Sequence, residues 1–249
     1  MDVNYLVFNT LDSTNAEARR RIGLETAGHW TAITTDFQTN GKGQQGARWQ
    51  NVSEGGVYLS LLSPEISWEK GSMVPLQQWI ALTVLRILQR FVPDAQIKWP
   101  NDLVVEGKKV GGILVEAQWR GRRMHRVIIG IGLNTQTVPN PPVPFASAVV
   151  LHTQQAIPTV SEWSQLLVEA LVGAFDSSLP FGDNSALTEE FHQALWRWNT
   201  LSPFQRVNTD KVWWGTPEAT SRDGKIGIRL AETQTLAWFD LKEVEWVRQ

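Results

Sequence analysis

Two kinds of hydrophobic pattern divide this chain. Short stretches rich in β-branched and aromatic residues predict strands at Val3–Thr10, Trp30–Asp36 and, with alternation, Gly56–Ser63. Between the first two lies LDSTNAEARRRIG, residues 11–23. Ser13 or Thr14 caps it, Glu17 sits in its first turn, arginines fill its last turn and Gly23 follows, which predicts a short helix. Pro75–Phe91 has proline in its first turn and apolar Leu76, Trp79, Ile80, Val84, Leu85 and Leu88 at helical spacing. Val160–Leu179 and Ala186–Trp196 predict two further amphipathic helices. Gln96–Trp99, Val110–Trp119 and His125–Asn134 read as strands, the last two joined as a hairpin by the turn GRR. From about Ser202 the pattern changes to short strands with turn residues, in KVWWG, KIGIRL, TLAWFD and VEWV.

Strands in hairpin-like pairs, without strict strand–helix–strand alternation, predict an α+β fold: a mixed, largely antiparallel sheet with packed helices, followed by a small C-terminal β-barrel. The expected domains are residues 1–200 and 201–249. The second is too small to stand alone and is expected to pack on the first.

Composition narrows the chemistry. A net charge of −2 gives no global basic field for nucleic acid or anionic lipid. The absence of cysteine removes disulfides, thiolate metal sites and cysteine nucleophiles together. The four histidines, His29, His125, His152 and His192, form no ligand-like pair. The opening MDVNYLVFNTLD has no basic leader segment, and no apolar run approaches the ~18 residues that span a bilayer. A cytoplasmic protein with no membrane partner is the expectation.

QTNGKGQQGARW, residues 38–49, spaces Gly41, Gly43 and Gly46 as G-x-G-x-x-G. A Walker A loop needs lysine and then serine or threonine after the last glycine, but Ala47 and Arg48 stand there. A dinucleotide fold needs a crossover helix, and ARWQNVSEGG has no helical period. What remains is a surface turn, or a loop whose backbone closely approaches an anion or a carbonyl. A second constellation is IKWPNDLVVEGKKVGGILVE, residues 97–116. Pro100 ends a strand, Asn101 and Asp102 form an Asx turn or reach a ligand, and Gly111 and Gly112 interrupt the next strand. IIGIGLN repeats the device with Gly130, Gly132 and Asn134. Three such sites suggest one pocket.

STNAEA, TTDFQTNGKGQQGARW, IKWPNDLVVEGKKVGGILVE and IIGIGLN, taken in that order, resemble the motifs of biotin protein ligases (biotin–[acetyl-CoA-carboxylase] ligases) over residues 11–134. The resemblance implies a class II synthetase-like catalytic domain with a small C-terminal barrel. It implies biotin and ATP as substrates, Mg²⁺ with the ATP, biotinyl-5′-adenylate as intermediate, and a lysine of a biotin carboxyl carrier protein as acceptor. By this resemblance Ser13, Thr14, Asn15 and Gln38 bind the ureido head of biotin, whose ring needs both donors and acceptors. Gly41, Lys42, Gly43 and Gln44 cover biotin and the adenylate. Lys109 contacts the biotin carboxylate and the α-phosphate, neutralising charge as the carboxylate attacks phosphorus. Trp49, Asn101 and Asn134 surround adenine, with Arg48 nearby on the ATP side. Gly112, Gly130 and Gly132 let the backbone approach the bicyclic ring. Asp102 either helps to place Mg²⁺ or fixes its turn, so Lys109, Lys42 and Asp102 form the expected catalytic set. Lys98 and Trp99 are read as structural supports.

Two departures stand out. The family loop runs G-R-G-R-x-G, whereas this chain has Lys42, Gln44 and Gln45. Lysine loses the bidentate fork and glutamine loses the charge, so Arg48 is expected to compensate in part or the intermediate to leak. The STN motif begins at residue 13, which leaves no room ahead of it for the DNA-binding domain of some family members, so no DNA partner is expected. No motif decides between monomer and dimer.

Overall fold

The computed structural model describes residues 2–24, 28–52, 54–69, 73–177, 184–207 and 209–247. It forms two compact units: residues 1–71 with 80–179, and residues 72–79 with 180–249.

The first unit begins with β1 (Val3–Leu11), α1 (Thr14–Arg21) and β2 (Trp30–Gln38). β1 and β2 pair in parallel, so this opening is a strand–helix–strand crossover and not a hairpin-like pair. The intervening α1 supplies the long connection that a parallel pair needs. Then follow β3 (Gly56–Leu62), β4 (Trp68–Glu69), α2 (Val74–Gln89, of which residues from Ile80 onward belong to this unit), β5 (Gln96–Lys98), β6 (Asp102–Val105), β7 (Lys108–Arg120) and β8 (Arg123–Asn134). The eight strands form one sheet in the order β1-β2-β3-β8-β7-β6-β5, with β4 pairing β8 off that path. Its ladders other than β1–β2 are antiparallel, which matches the mixed, largely antiparallel sheet expected. Sequence pattern did not separate β6 from its turn. The strand has only four residues, and it returns into β7 through Glu106 and Gly107, both at positive φ (50° and 74°).

Helices cover both faces of this sheet. Ala18 of α1 packs with Ile33, Leu62 and Ile128. α3 (Val160–Ser177) sets Phe175 edge-on against Trp30, ring centroids 4.6 Å apart. Trp30 and Ile33 are three residues apart on β2, so their side chains leave opposite faces. α2 contributes buried Ile80, Leu85 and Leu88, at the spacing that predicted it.

The second unit holds α4 (Ser185–Gln193), β9 (Ser202–Arg206), β10 (Val212–Thr220), β11 (Ile226–Leu230), β12 (Leu236–Phe239) and β13 (Val244–Trp246). α4 stops short of the predicted Trp196, and Arg197 and Asn199 beyond it adopt positive φ. The five strands form an antiparallel sheet in the order β12-β11-β10-β9-β13. Among the described residues no ladder joins β12 to β13, so the unit is a sheet and not the closed barrel expected from sequence. Phe204, Trp213, Phe239 and Trp246 make an aromatic layer, with centroids 5.1–5.3 Å apart. β9 escaped the sequence pattern because Pro203 lies within it. Among the described residues no helix is long and apolar enough to cross a membrane.

Candidate functional site

The ladder registers collect the site onto the α1 face of the first sheet. Ser60 stands opposite both Ile33 and Gly130, Tyr58 opposite Gly132, and Gly112 opposite both Gly132 and Asp102. Directly opposed residues share a face, so Gly112, Gly130 and Gly132 form a floor without side chains. A Cβ on Gly130 would lie 2.2 Å from Asn15 Oδ1, and one on Gly132 would lie 2.6 Å from the Trp49 indole. The indole also lies over Gly112, 3.2 Å from where its Cβ would be.

The N-terminus of α1 forms one end of this groove. Ser13 caps the helix by accepting from the Ala16 N–H (3.4 Å). The Thr14 N–H donates to Gln38 Oε1 (2.9 Å), and its hydroxyl lies 3.3 Å from the same oxygen. The Ser60 hydroxyl sits 2.5 Å from Asn15 Oδ1 and 2.8 Å from Thr14 Oγ1. Asn15 Nδ2 donates to Glu116 Oε2 (2.9 Å), and Glu116 pairs with Arg19 (2.5 Å). Asn51 holds the Gln38 backbone from both sides, accepting from its N–H and donating to its carbonyl. Ser13, Thr14, Asn15, Gln38 and Ser60 are all buried. Sequence reading missed Ser60, Asn51 and the role of Glu116. The available signal was a lone hydroxyl inside the apolar run VYLSLL.

The glycine loop folds back on itself beside this end. The Gly43 N–H donates to Ala47 O (2.7 Å), the Trp49 N–H to Gly41 O (3.0 Å), and the Arg48 guanidinium to Thr39 O (2.8 Å). Gly46 is required by its φ of 77°, and Gly41 because a Cβ there would meet Trp49 O at 2.9 Å. Gly43 has neither requirement: its φ is −117° and an added Cβ would make an ordinary contact at 3.4 Å. Lys42 is exposed and Gln44 half-buried on the same loop.

Lys109 and Asp102 meet at the other end, Nζ to Oδ1 2.6 Å, with Nζ 5.3 Å from the Trp49 ring centroid. Counting back from Gly112 by strict alternation would place Lys109 on the opposite face. A β-bulge between the Leu103–Gly111 and Val104–Lys109 pairs inserts Val110 and turns Lys109 toward Gly112. Asn101 donates its Nδ2 to Ile113 O, and its main-chain carbonyl accepts the Ile113 N–H (3.0 Å). Its amide therefore pins the start of β6 to β7. Asn134 Nδ2 donates to Ser147 O (3.2 Å). Asn134 Oδ1 and Trp49 Nε1 are two of seven buried side-chain polar atoms without a hydrogen-bond partner among the described residues, three of the others being tryptophan nitrogens elsewhere in the chain. Trp99 is buried, as a structural support would be. Among the described residues no three histidine or acidic side chains cluster as a metal site.

The sequence matches the biotin/lipoate A/B protein ligase family over residues 7–134, about half the chain. Among characterised proteins it is similar to the bifunctional ligase/repressor BirA of Bacillus subtilis, 34% identical over 137 residues, covering 55% of this chain and 42% of that protein. It is also similar to the biotin–[acetyl-CoA-carboxylase] ligase of Mycobacterium tuberculosis, 29% identical over 150 residues, covering 55% and 52%. The aligned part thus spans about two fifths to half of these relatives. Among solved structures, a biotin protein ligase from Aquifex aeolicus in complex with biotin and ATP superposes with a TM-score of 0.68. That match covers 99% of both chains at 21% identity, a likeness of fold.

Proposed function

The chain belongs to the biotin/lipoate A/B protein ligase family, and on that premise we propose that it is an ATP-dependent biotin ligase acting on a biotin carboxyl carrier protein of acetyl-CoA carboxylase. The observation that carries this reading is the side-chain-free floor of Gly112, Gly130 and Gly132, with a hydroxyl–amide network at one end and the Lys109–Asp102 pair at the other. A flat bicyclic ring fits over such a floor, and a mixed set of donors and acceptors suits a ureido head.

In this reading Ser13, Thr14, Asn15 and Gln38 hold the ureido ring. The Trp49 indole moves from above Gly132 to admit the ligand and stacks on adenine. Asn134 Oδ1, a buried acceptor without a partner, is then free to take an N–H from the edge of the base. Gly43, the loop glycine that the loop's own geometry does not require, lets the backbone of Lys42–Gln44 close over the intermediate. In the first step a carboxylate oxygen of biotin bonds to the α-phosphorus as pyrophosphate leaves. The carboxylate needs no general base, and Lys109 offsets the charge that accumulates where the two anions meet. In the second step the neutral amine of the carrier lysine attacks the acyl carbon and AMP leaves. Mg²⁺ is expected to enter with ATP. Asp102, whose Oδ1 pairs with Lys109 Nζ, either would help to hold it, with phosphates and water as the remaining ligands, or serves only to fix its turn and orient Lys109. The residues so assigned fall within residues 1–200, which we take as the catalytic domain, with 201–249 following it.

Purified protein tested for biotin-dependent exchange of pyrophosphate into ATP, with lipoate as control acid, decides the matter. Exchange with biotin alone is expected. Exchange with lipoate alone, or with neither acid in a folded sample containing Mg²⁺, overturns the reading.

A further inference from the structure

After β8 the chain returns along the start of β7. The Lys109 N–H donates to Phe145 O (2.6 Å), and the Ser147 N–H donates to Lys109 O (2.7 Å). The Ser147 carbonyl accepts from Asn134 Nδ2 (3.2 Å). One residue thereby ties the main chain of Lys109 to the carboxamide of Asn134. The Ser147 hydroxyl lies 2.8 Å from His152 Nε2, and His152 Nδ1 lies 3.5 Å from Glu106 Oε2. His152 ends a short 3₁₀ turn, Val149–His152, and its side chain is only 6% exposed. Burial pushes its pKa below the usual histidine value; Glu106 opposes that shift and Lys108 reinforces it. These two, one from the β6–β7 turn and one at the start of β7, are the charged groups that act on the ring among the described residues.

A serine, a histidine and a carboxylate in this order have the connectivity of a hydrolytic triad. Burial decides against that use. Ser147 is 3% exposed and both its main-chain groups are bonded to site residues, so its hydroxyl has no approach to an acyl carbon. We propose that His152 is a positioning residue that acts through Ser147 to hold Lys109 and Asn134 in place on the nucleotide side of the groove. The ligand it serves rests on the ligase reading above. A neutral ring protonated at Nδ1, facing Glu106, leaves Nε2 to accept from the Ser147 hydroxyl. Protonation makes Nε2 a donor, so the serine must turn, and the grip on Lys109 and Asn134 changes with it.

The test compares wild type with His152→Ala, His152→Gln and Ser147→Ala. Hydrogen exchange is read at the amides of Lys109 and Ser147, and KM for ATP and for biotin from pyrophosphate exchange between pH 5 and 8. His152→Ala and Ser147→Ala are expected to speed exchange at both amides. They should raise KM for ATP about tenfold, the scale of one lost buried hydrogen bond, and KM for biotin by a smaller factor, since Lys109 meets only its carboxylate while Asn134 serves the nucleotide alone. His152→Gln keeps a polar group for Ser147 and should restore KM for ATP. It should also remove the rise that wild type shows below the usual histidine range. Unchanged amide exchange in both deletion variants overturns the proposal whatever the activity. So does an equal rise in both KM values, or labelling of Ser147 by a serine-reactive phosphonate. If the amides loosen but wild type exchanges no pyrophosphate with biotin, the positioning role stands and the ligase reading falls.

Discussion

The two ends of the glycine-floored groove are built differently. At the α1 end Thr14, Asn15, Gln38 and Ser60 bond to one another in one buried network, which the half-buried Glu116 joins through Asn15. At the Lys109 end the indole nitrogen of Trp49 and the amide oxygen of Asn134 are buried without partners. Buried polar atoms left unpaired cost free energy, and in the ligase reading proposed above Asn134 Oδ1 finds its partner in the nucleotide, while the first end is already hydrogen-bonded within the protein.

The sharpest way to break this contrast is Lys109→Ala. It removes the cation that faces the reacting phosphate in the proposed reaction, and a fall of roughly 10²–10³-fold in biotin-dependent pyrophosphate exchange is expected. Thermal stability should change little, since its partner Asp102 is partly exposed and can be solvated. A fall of less than about tenfold would remove Lys109 from the charge-neutralising role.

Gly132→Ala tests the floor. Its methyl group would stand 2.6 Å from the Trp49 indole, so the ring must shift and the groove narrows. KM for biotin is expected to rise by about tenfold or more, at a stability cost of roughly 1–3 kcal/mol. The same methyl at Gly173, inside α3 with nothing within 4 Å, should leave KM unchanged and raise stability by roughly 0.5–1 kcal/mol, and steady-state kinetics on the pair separates floor from bystander.

Gln44→Arg asks how firmly the loop holds its intermediate. Arg48 is bonded to Thr39 O and so braces the loop stem in this conformation. Restoring a guanidinium at residue 44 should lower diffuse biotinylation of bystander proteins by a few-fold, in keeping with one added charge-assisted hydrogen bond. Equal bystander labelling by both forms would show that Gln44 does not govern leakage.

The smallest effect concerns acid. The Arg20 guanidinium beside Asp12 holds its carboxyl down to about 2. Burial would raise the Glu17 pKa, but hydrogen bonds from Arg21 and Arg20 outweigh it and lower it. Both groups bind protons less readily when folded, so their contribution is complete above the usual carboxylate range and is lost as pH falls from about 4 toward 2. Asp12→Asn should flatten that part of the curve of melting temperature against pH, slightly, because Asp12 is half-exposed. An identical acid limb in wild type and variant would show that the Asp12–Arg20 pair leaves α1 no firmer.

Local pattern alone determined much of this protein. Ser13 with Glu17 and the arginines announced α1, Pro75 with its spaced apolar residues announced α2, and the ordered motifs STN, G-x-G-x-x-G, KWPND and GIGLN carried the family resemblance that pointed to a candidate site in the first half of the chain. These signals are local: a cap, a period or a turn residue acts within a few positions of itself. The remaining features arise between segments far apart in sequence, and only the tertiary structure decided them. One inserted residue, Val110, reverses the face on which Lys109 stands, and alternation counted along the strand cannot reveal it. Ser60 reaches Asn15 across 45 positions, and the Trp49 indole lies on glycines more than 60 residues away along the chain. β1 and β2 pair in parallel because α1 carries the chain back, and Pro203 enters a strand because its neighbours in the sheet tolerate the missing donor. Side-chain chemistry can be read one residue at a time, but which residues share a face is settled by register, bulge and close approach.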